Sequence, residues 1–367
     1  MKKVLFITHP ESDYGGAFLY DGLRHLLGYT NVIDYPEKKS YHGVVHTYSI
    51  RDIPNGVTGP LPWQFPLPYP LAHVPENETE NVVKDMLRNG EFCIVVMESG
   101  RYCAVDAYNI LQNEIKNAGI PVVMHDGEDG DHFHSAAEQI HPHVLLKREL
   151  TWGKYEREDF TMHDGMRVVA FPFSAPIPEM NAIIAQYNNG KPSTLARTCD
   201  LLLACGITWP ERRNLAHGLH SASSGQSNDP SSYDSVIATS DTTDTDGIGM
   251  QTLFNWPDYV VQMHKAKMTV SMRGWGWDTV RYWEAAYLSV LLCDRVQFYI
   301  PNPLQENVHC LCYNDINHAI QLAKDWHTRD AELIEMQRRS REHITQYHSN
   351  EARARRMFEV AGVNYNA

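Results

Sequence analysis

Residues 270–295, which read VSMRGWGWDTVRYWEAAYLSVLLCDR, decide the fold. The stretch predicts a short strand, a glycine-broken turn with two tryptophans, a helix and a second apolar strand. Such a unit places a helix N-terminus and free backbone N–H groups at the carboxyl end of a sheet, where anions such as nucleotide diphosphates bind. Arg281 and Glu284 stand three positions apart and therefore share a helix face. Either the carboxylate binds a ribose diol there, or the pair is a surface ion pair beside core tryptophans.

Composition and length predict a globular chain of two domains. The chain has 367 residues, 43% of them apolar and 21% charged, and a net charge of -13. That negative charge argues against nucleic-acid binding through the electrostatic field of the whole protein, although the chain can still contain a local basic groove. Seven cysteines lack a metal-type pairing, which favours a reducing compartment. We expect a cytoplasmic protein, because no apolar run has the length of a signal peptide or a membrane span.

The first half of the chain alternates apolar strands with helices, which predicts a parallel sheet with right-handed crossovers. Gly15 and Gly16 follow the first strand, at 4–8, where the backbone either approaches a ligand closely or makes a tight turn. The proline-rich segment 54–75 predicts an ordered loop that is neither helix nor central strand.

We predict four segments from the breaks in this pattern. A strand at 199–205 begins the second α/β set, and Pro210 opens a helix with Arg212 and Arg213 in its first turns. The Ser/Thr/Asp-rich stretch 221–249 predicts a long loop. The segments are an N-terminal Rossmann-like domain at 1–178, a linker at 179–198, a C-terminal Rossmann-like domain at 199–345, and a C-terminal helix at 346–367 that crosses back.

Together these features resemble the GT-B glycosyltransferases. The closest likeness is to the branch of the spore-coat CgeB-like proteins and, more distantly, to the phage DNA beta-glucosyltransferases. Those families carry an R-x-x-E helix followed by small residues and an apolar strand, matched by Arg281, Glu284, Ala285 and Ala286. The KREL stretch at 147–150 resembles an element of the CgeB-like group. The resemblance implies an α/β fold class with two Rossmann-like domains facing a cleft.

The resemblance also implies a donor site for a nucleotide sugar, most readily a UDP-sugar. Glu284 would bind the nucleotide ribose, and Arg281 would support it or meet a phosphate. Arg212 and Arg213 match positions that hold the donor pyrophosphate in the DNA-glucosylating relatives. Guanidinium groups suit that task, because a departing nucleoside diphosphate develops negative charge. Gly15 and Gly16 would let the first loop approach the donor.

One departure from the family pattern bears on stereochemistry. Many retaining GT-B enzymes have two glutamates eight positions apart, and Glu284 would be the second. The first would fall on Gly276, which has no side chain to act with. Asp278 is close in sequence and is a further donor-site candidate, but its position does not match. The inverting mechanism is therefore favoured.

A dense polar cluster, HDGEDGDHFH at 125–134, follows the fourth strand. An inverting transferase needs a group that takes the proton of the acceptor hydroxyl. Asp126 matches the aspartate with that role in the DNA-glucosylating relatives. The cluster is also compatible with a divalent metal, held by carboxylates and imidazoles, or with a solvated turn. We do not expect a metal to be essential.

The predicted function is transfer of a sugar from a nucleotide-sugar donor to a hydroxyl acceptor, with inversion. The acceptor can be a glycan, a protein, a small molecule or modified DNA. Transfer to hydroxymethylated bases of DNA is one alternative. A nucleotide-sugar epimerase and a non-catalytic nucleotide-sugar-binding protein are the others, because both are compatible with the same fold.

Overall fold

The computed structural model describes residues 2–10, 13–38, 41, 80–188, 197–205, 210–223, 233–239 and 256–365. The predicted proline-rich loop at 54–75 lies outside these residues. The chain divides into two compact units. Unit 1 comprises Met1–Ser174, Phe298–Pro301 and Ser349–Ala367, and unit 2 comprises Ala175–Gln297 and Asn302–His348.

Strands and helices alternate along most of the described chain. The strands are β1 (Lys3–Ile7), β2 (Val32–Tyr35), β3 (Phe92–Met97), β4 (Val122–Asp126), β5 (Val144–Lys147), β6 (Asp159–Thr161), β7 (Arg167–Ala170), β8 (Cys199–Cys205), β9 (Ser235–Thr239), β10 (Ala266–Ser271), β11 (Val290–Asp294) and β12 (Cys310–Tyr313). The helices are α1 (Tyr14–Leu27), α2 (Glu80–Arg88), α3 (Tyr102–Ala118), α4 (Ala136–Ile140), α5 (Ile177–Tyr187), α6 (Pro210–Ser223), α7 (Trp256–Lys265), α8 (Val280–Leu288), α9 (Ile316–Trp326), α10 (Asp330–Tyr347) and α11 (Asn350–Ala361).

Unit 1 is built on a sheet with the strand order β2-β1-β3-β4-β5-β7-β6. Its strands are apolar on both faces, as expected when helices cover both sides of a parallel sheet. Leu5 and Ile7 of β1 pack with α2 and α3, whereas Val4 and Phe6 pack with α1 and α11. The prediction of a parallel sheet is wrong only for β6, which pairs antiparallel with β7 at the edge.

Unit 2 is built on a parallel sheet with the strand order β9-β8-β10-β11-β12. Its core joins Leu201, Met268 and Leu292 from three neighbouring strands with apolar side chains of α6, α9 and α10. Each fully buried side chain of this kind contributes about 1.5–3 kcal/mol relative to an exposed one. With the strands of each unit numbered in chain order, both sheets contain the order 2-1-3-4-5. The strand order therefore reverses between the first and third strands of each unit.

A helix occupies the start of the predicted linker, and one loop prediction needs correction. Residues 177–187 form α5, in which Met180 and Ile184 are buried and which packs against α7, whereas the linker at 179–198 stays a prediction. The predicted long loop at 221–249 contains the end of α6 and the strand β9, which pairs with β8 through Val236 and Ile237.

The end of the chain returns to unit 1. The helix α11 packs against α1, and Gly22 of α1 lets the two backbones approach, since a Cβ there would lie 2.0 Å from the carbonyl oxygen of Asn350. Within the described part of the chain, every helix is too short or too polar to cross a membrane.

Candidate functional sites

The strand orders indicate where ligands bind. In an open α/β sheet, ligands occupy the crevice beyond the carboxyl ends of the strands, at the point where the strand order reverses. In unit 1 this point lies between β1 and β3, which are followed by His9 and Glu98. In unit 2 it lies between β8 and β10. The residues directly after β8, at 206–209, lie outside the described residues, whereas those after β10 lead into α8.

The predicted donor residues Glu284 and Arg281 lie on the face of α8 that packs against α7. The Glu284 side chain is buried, and its Oε1 accepts a hydrogen bond from Trp256 Nε1 at 2.7 Å. Arg281 donates from Nε to the Tyr259 hydroxyl at 2.6 Å. Burial raises the pKa of Glu284 to about 7, against the opposing effects of the Trp256 hydrogen bond and the Arg281 charge. The carboxyl therefore changes its charge near neutral pH.

Arg212 and Arg213 lie in the first turn of α6 and point in different directions. The Arg212 side chain is buried and donates from Nε and Nη2 to the carbonyl oxygen of Arg273, at 3.0 and 2.8 Å, and from Nη2 to that of Met272, at 3.2 Å. Arg213 is exposed. Burial lowers the pKa of Arg212, and the nearby charge of Arg281 lowers it further. Such mutual repulsion of two guanidinium groups favours an anion beside them.

The loop between β10 and α8 is held at both ends. Asp278 is buried, and its Oδ1 accepts from the indole Nε1 of Trp283 at 2.8 Å. At the other end, the backbone N–H of Arg273 donates to Asp294 Oδ2 at 3.1 Å. Asp278, predicted as a donor-site residue, thus ties the loop before α8 to the end of the first turn of that helix.

Four side chains from three separate stretches of the sequence meet at the switch point of unit 1. Glu98 is fully buried; its Oε2 accepts from the backbone N–H of His9 at 3.0 Å, and its Oε1 accepts from Lys38 Nζ at 2.5 Å and from the Tyr41 hydroxyl. Burial raises the pKa of Glu98 to about 7, although Lys38 opposes the shift.

His9 is the unusual member of this cluster. Its ring is 2% exposed, and neither ring nitrogen has a hydrogen-bond partner among the described residues. Its Nε2 lies 3.7 Å from Glu98 Oε2. Burial, with help from the Lys38 charge, lowers the pKa of His9 to about 4. The imidazole is therefore neutral at pH 7 and able to accept a proton.

Gly15 and Gly16 lie in the first turn of α1, whose N-cap Asp13 accepts from the Gly16 N–H at 2.8 Å. A Cβ on Gly15 would lie 2.1 Å from His125 Cε1, and one on Gly16 would lie 2.1 Å from Glu98 Cγ. The backbone at these glycines thus makes a close approach, as predicted, and it approaches side chains at the strand ends. A role in donor binding stays a prediction.

Asp126, the predicted base, is buried at the end of β4. Its Oδ1 lies 3.1 Å from Lys147 Nζ and accepts from the Glu128 N–H at 3.2 Å, while its Oδ2 accepts from the His134 N–H at 2.9 Å. Lys147 is fully buried as well. Both carboxylate oxygens thus hold the loop that follows β4, and Asp126 as base stays a prediction that this geometry does not favour.

The rest of the 125–134 cluster faces basic side chains. Asp129 pairs with Arg148, and Asp131 pairs with Lys154 at 3.2 Å. The Gly130 N–H donates to Glu149 Oε2 at 3.1 Å. The KREL stretch therefore supplies partners of Asp126, Asp129 and Gly130, whereas Asp131 pairs with Lys154, and the acids face these partners rather than one another.

Comparisons with known proteins bear on the fold. No protein-family model and no curated protein sequence matches this chain. Among solved structures, HepE of Anabaena in complex with UDP and glucose has a TM-score of 0.55 at 9% identity, with 99% of this chain and 100% of HepE covered. A glycosyltransferase from Rickettsia africae has a TM-score of 0.57 at 9% identity, with 98% and 97% covered. Sucrose-phosphate synthase from Thermosynechococcus elongatus has a TM-score of 0.52 at 11% identity, with 98% of each chain covered.

The chain has the GT-B fold. The predicted α/β fold class with two Rossmann-like domains is confirmed, whereas identities this low carry no residue roles from those proteins. The residues near the two switch points differ in how far the sequence predicts them. Sequence spacing indicates Arg281 and Glu284. It misses His9, Lys38, Tyr41 and Glu98. A signal for two of them was present, because Glu98 directly follows the buried strand β3 and His9 lies two residues after the buried strand β1.

Proposed function

We propose that this protein is a glycosyltransferase that moves a sugar from a nucleotide-sugar donor to a hydroxyl acceptor. The observation that carries the proposal is a buried carboxyl, Glu284, beside a guanidinium, Arg281, on the helix that follows the switch point of unit 2 in a GT-B fold. HepE, which has a similar fold, was solved with UDP and with UDP-glucose. A UDP-sugar is therefore the proposed donor.

In the donor complex, Glu284 accepts hydrogen bonds from the ribose hydroxyls. Arg281 and the exposed Arg213 meet the diphosphate, and Arg212 holds the loop before α8 through its bonds to two carbonyl groups. The unsatisfied N–H groups at the start of α8 add positive potential for the phosphates. Asp278 keeps this helix start in position through Trp283. These groups stabilise the negative charge that UDP acquires as it leaves.

The proposed reaction is a single inverting displacement. The acceptor hydroxyl attacks the anomeric carbon, the bond from that carbon to the diphosphate oxygen breaks, and the hydroxyl proton passes to a base. We assign that base to His9 in preference to Asp126. The His9 ring is neutral, neither of its nitrogens has a hydrogen-bond partner among the described residues, and Glu98 Oε2 lies 3.7 Å from its Nε2. Asp126 already uses both oxygens within the fold.

The likeness to CgeB-like proteins rests on the R-x-x-E helix and the KREL stretch. Lys147, Arg148 and Glu149 each bond to the polar loop after β4. We propose the assignment to that branch on the likeness of these two sequence elements.

Calorimetric titration with UDP tests the donor site. We expect Glu284→Ala and Arg281→Ala to weaken UDP binding by about 10- to 100-fold, because a hydrogen bond to a charged group contributes about 1.5–3 kcal/mol. Glu332→Ala is the matched control, since Glu332 is an exposed carboxylate of unit 2 that pairs with Arg329. Unchanged UDP affinity in both site variants contradicts the assignment.

Sugar chemistry tests the activity itself. Incubation with a panel of labelled nucleotide sugars, with and without candidate acceptors, should give slow donor hydrolysis alone and transfer when the acceptor fits. Isomerised sugar without any acceptor would identify an epimerase. UDP binding with every donor left intact would identify a binding protein.

A further inference from the structure

Three thiols converge on one face of the unit 2 sheet. The parallel register of β11 and β12 places Cys293 beside Cys312, and Cys310 lies two positions before Cys312 on the same face of β12. The Sγ atoms of Cys293 and Cys312 are 3.9 Å apart, and those of Cys310 and Cys312 are 3.8 Å apart. All three sulfurs lie within 4.8 Å of one another.

We propose that these cysteines bind one thiophilic metal cation, of the class of Zn²⁺ or Cu⁺. A zinc–sulfur bond is about 2.3 Å long, so two sulfurs on one tetrahedral or trigonal ion lie about 3.8–4.0 Å apart. The observed spacing fits that requirement without movement of the strands. A disulfide needs its two sulfurs at about 2.05 Å and would leave the third thiol unused.

The surroundings suit a bound cation of this class. Cys293 and Cys310 are buried, and Cys312 is half-buried, which provides a path of entry. Thiolate ligands select Zn²⁺, Cu⁺ and related ions over Mg²⁺ or Ca²⁺. The four other cysteines lie elsewhere, at Cys93 and Cys103 in unit 1 and at Cys199 and Cys205 on β8. The convergence is therefore a property of β11 and β12.

The proposed metal site is next to the loop that leads into α8. Asp294, which accepts from the Arg273 N–H, directly follows Cys293. Tyr282 of α8 is buried, and burial, with a smaller effect of the three nearby thiols, raises its pKa. A bound cation would therefore fix the strand end that holds this loop. The inference does not depend on the proposed transferase activity.

Titration of the reduced full-length protein with Co²⁺ or Cd²⁺ tests the site through sulfur-to-metal charge-transfer absorbance. We expect one equivalent per chain, and at least a tenfold loss of affinity in Cys312→Ser and in Cys310→Ser. Cys103→Ser is the control and should bind as the unaltered protein does. Competition with chromophoric chelators for Zn²⁺ and for Cu⁺ then distinguishes the preferred ion.

Thermal melting keeps the test independent of folding defects. Metal added to the unaltered protein should raise the melting temperature, because a ligand of the folded state stabilises it. Cys312→Ser, shown to fold by circular dichroism, should not respond. The absence of a charge-transfer band, or a band that persists in Cys312→Ser, overturns the proposal. It is also overturned if two of these cysteines form a disulfide on oxidation and the reduced protein does not respond to metal.

Discussion

Glu284 combines burial with a pKa raised to about 7, so its charge is adjustable near neutrality. Ribose hydroxyls donate more strongly to a carboxylate than to a carboxylic acid. UDP binding should therefore favour the ionised form and release part of a proton, so affinity should rise between pH 6 and pH 8. Glu284→Gln cannot ionise and should lose this contribution. Calorimetry in two buffers of different ionisation enthalpy measures the proton release.

The diphosphate of UDP also titrates, but equally for both proteins. The informative quantity is thus the difference in proton release between the unaltered protein and Glu284→Gln. Equal release in both would mean that Glu284 does not contact the ligand in its ionised form. The ribose assignment would then fail.

The two candidate bases differ in what their loss should do. His9→Ala removes a ring without hydrogen-bond partners among the described residues, so we expect kcat to fall about 10²- to 10⁴-fold, the usual contribution of a general base, while UDP affinity is kept. Steady-state kinetics with a responsive acceptor, together with calorimetry, provide both values.

Asp126→Asn should act mainly on stability. It leaves the buried Lys147 without its anionic partner, and breaking a buried pair in this way costs about 3–5 kcal/mol. A lower denaturation midpoint with kcat kept is the expected result. A folded Asp126→Asn protein that has lost kcat, beside an active His9→Ala protein, would return the role of base to Asp126.

The site residues that the sequence predicts are those brought together by local spacing. Arg281 and Glu284 are three positions apart in one helix, so helical periodicity alone brings them to one face. His9, Lys38 and Glu98 come together because β2, β1 and β3 are neighbours in the sheet. That neighbour relation is a matter of topology, which local patterns do not contain.

At the scale of elements, the first turn of α1 packs unusually closely on the strand ends. Alanine normally stabilises a helix interior by about 1 kcal/mol relative to glycine. We expect Gly15→Ala to destabilise unit 1 instead, by about 1–3 kcal/mol, because its Cβ would lie 2.1 Å from the buried His125 ring. Chemical denaturation followed by circular dichroism measures the change.

Gly218→Ala in α6 is the comparator for this prediction. Its Cβ would lie 3.0 Å from Cδ1 of Ile320, the far end of a flexible side chain that can move. The substitution should therefore be nearly neutral or stabilising. If Gly15→Ala were as well tolerated, the close packing of α1 on His125 would be incorrect.

The sequence predicts those elements that carry local signals and misses those that depend on tertiary contacts. The strand at 199–205 and the helix that opens at Pro210 carry their own apolar and capping signals. The strand β9 lies within a Ser/Thr/Asp-rich stretch and gains its order by pairing with β8. Likewise, α5 is stabilised by Met180 and Ile184 against its neighbours, while its flanking Asn and Gly residues predict a linker. Tertiary contacts decide both cases.

Across the whole molecule, each unit places a buried glutamate close to its switch point. Glu98 directly follows β3 beside Lys38, and Glu284 lies on the helix after β10 beside Arg281. Both carboxyls have a pKa raised to about 7 by burial. Sites that keep ionisable groups in an unfavourable environment destabilise the fold and are typical of function.

This shared feature predicts how the stability of the protein depends on pH. An unfolded glutamate loses its proton near pH 4.5, whereas native Glu98 and Glu284 keep theirs to about pH 7. Between these values the native state binds more protons than the unfolded state, so the free energy of unfolding falls as pH rises.

The histidines with lowered pKa values act in the opposite direction, but only below about pH 6.5. His9 and His264 are neutral in the native state down to about pH 4 and become charged on unfolding in acid, so their contribution increases stability as pH rises to that limit.

From pH 6.5 to pH 8 the two glutamates should dominate. We expect a fall of roughly 1 kcal/mol or less for each, since one pKa unit corresponds to about 1.4 kcal/mol. Urea denaturation at pH 6.5 and pH 8 should show this fall, and it should shrink in Glu98→Gln and in Glu284→Gln. A stability that stays constant or rises across this interval would mean that both carboxyls are ionised well below neutral pH.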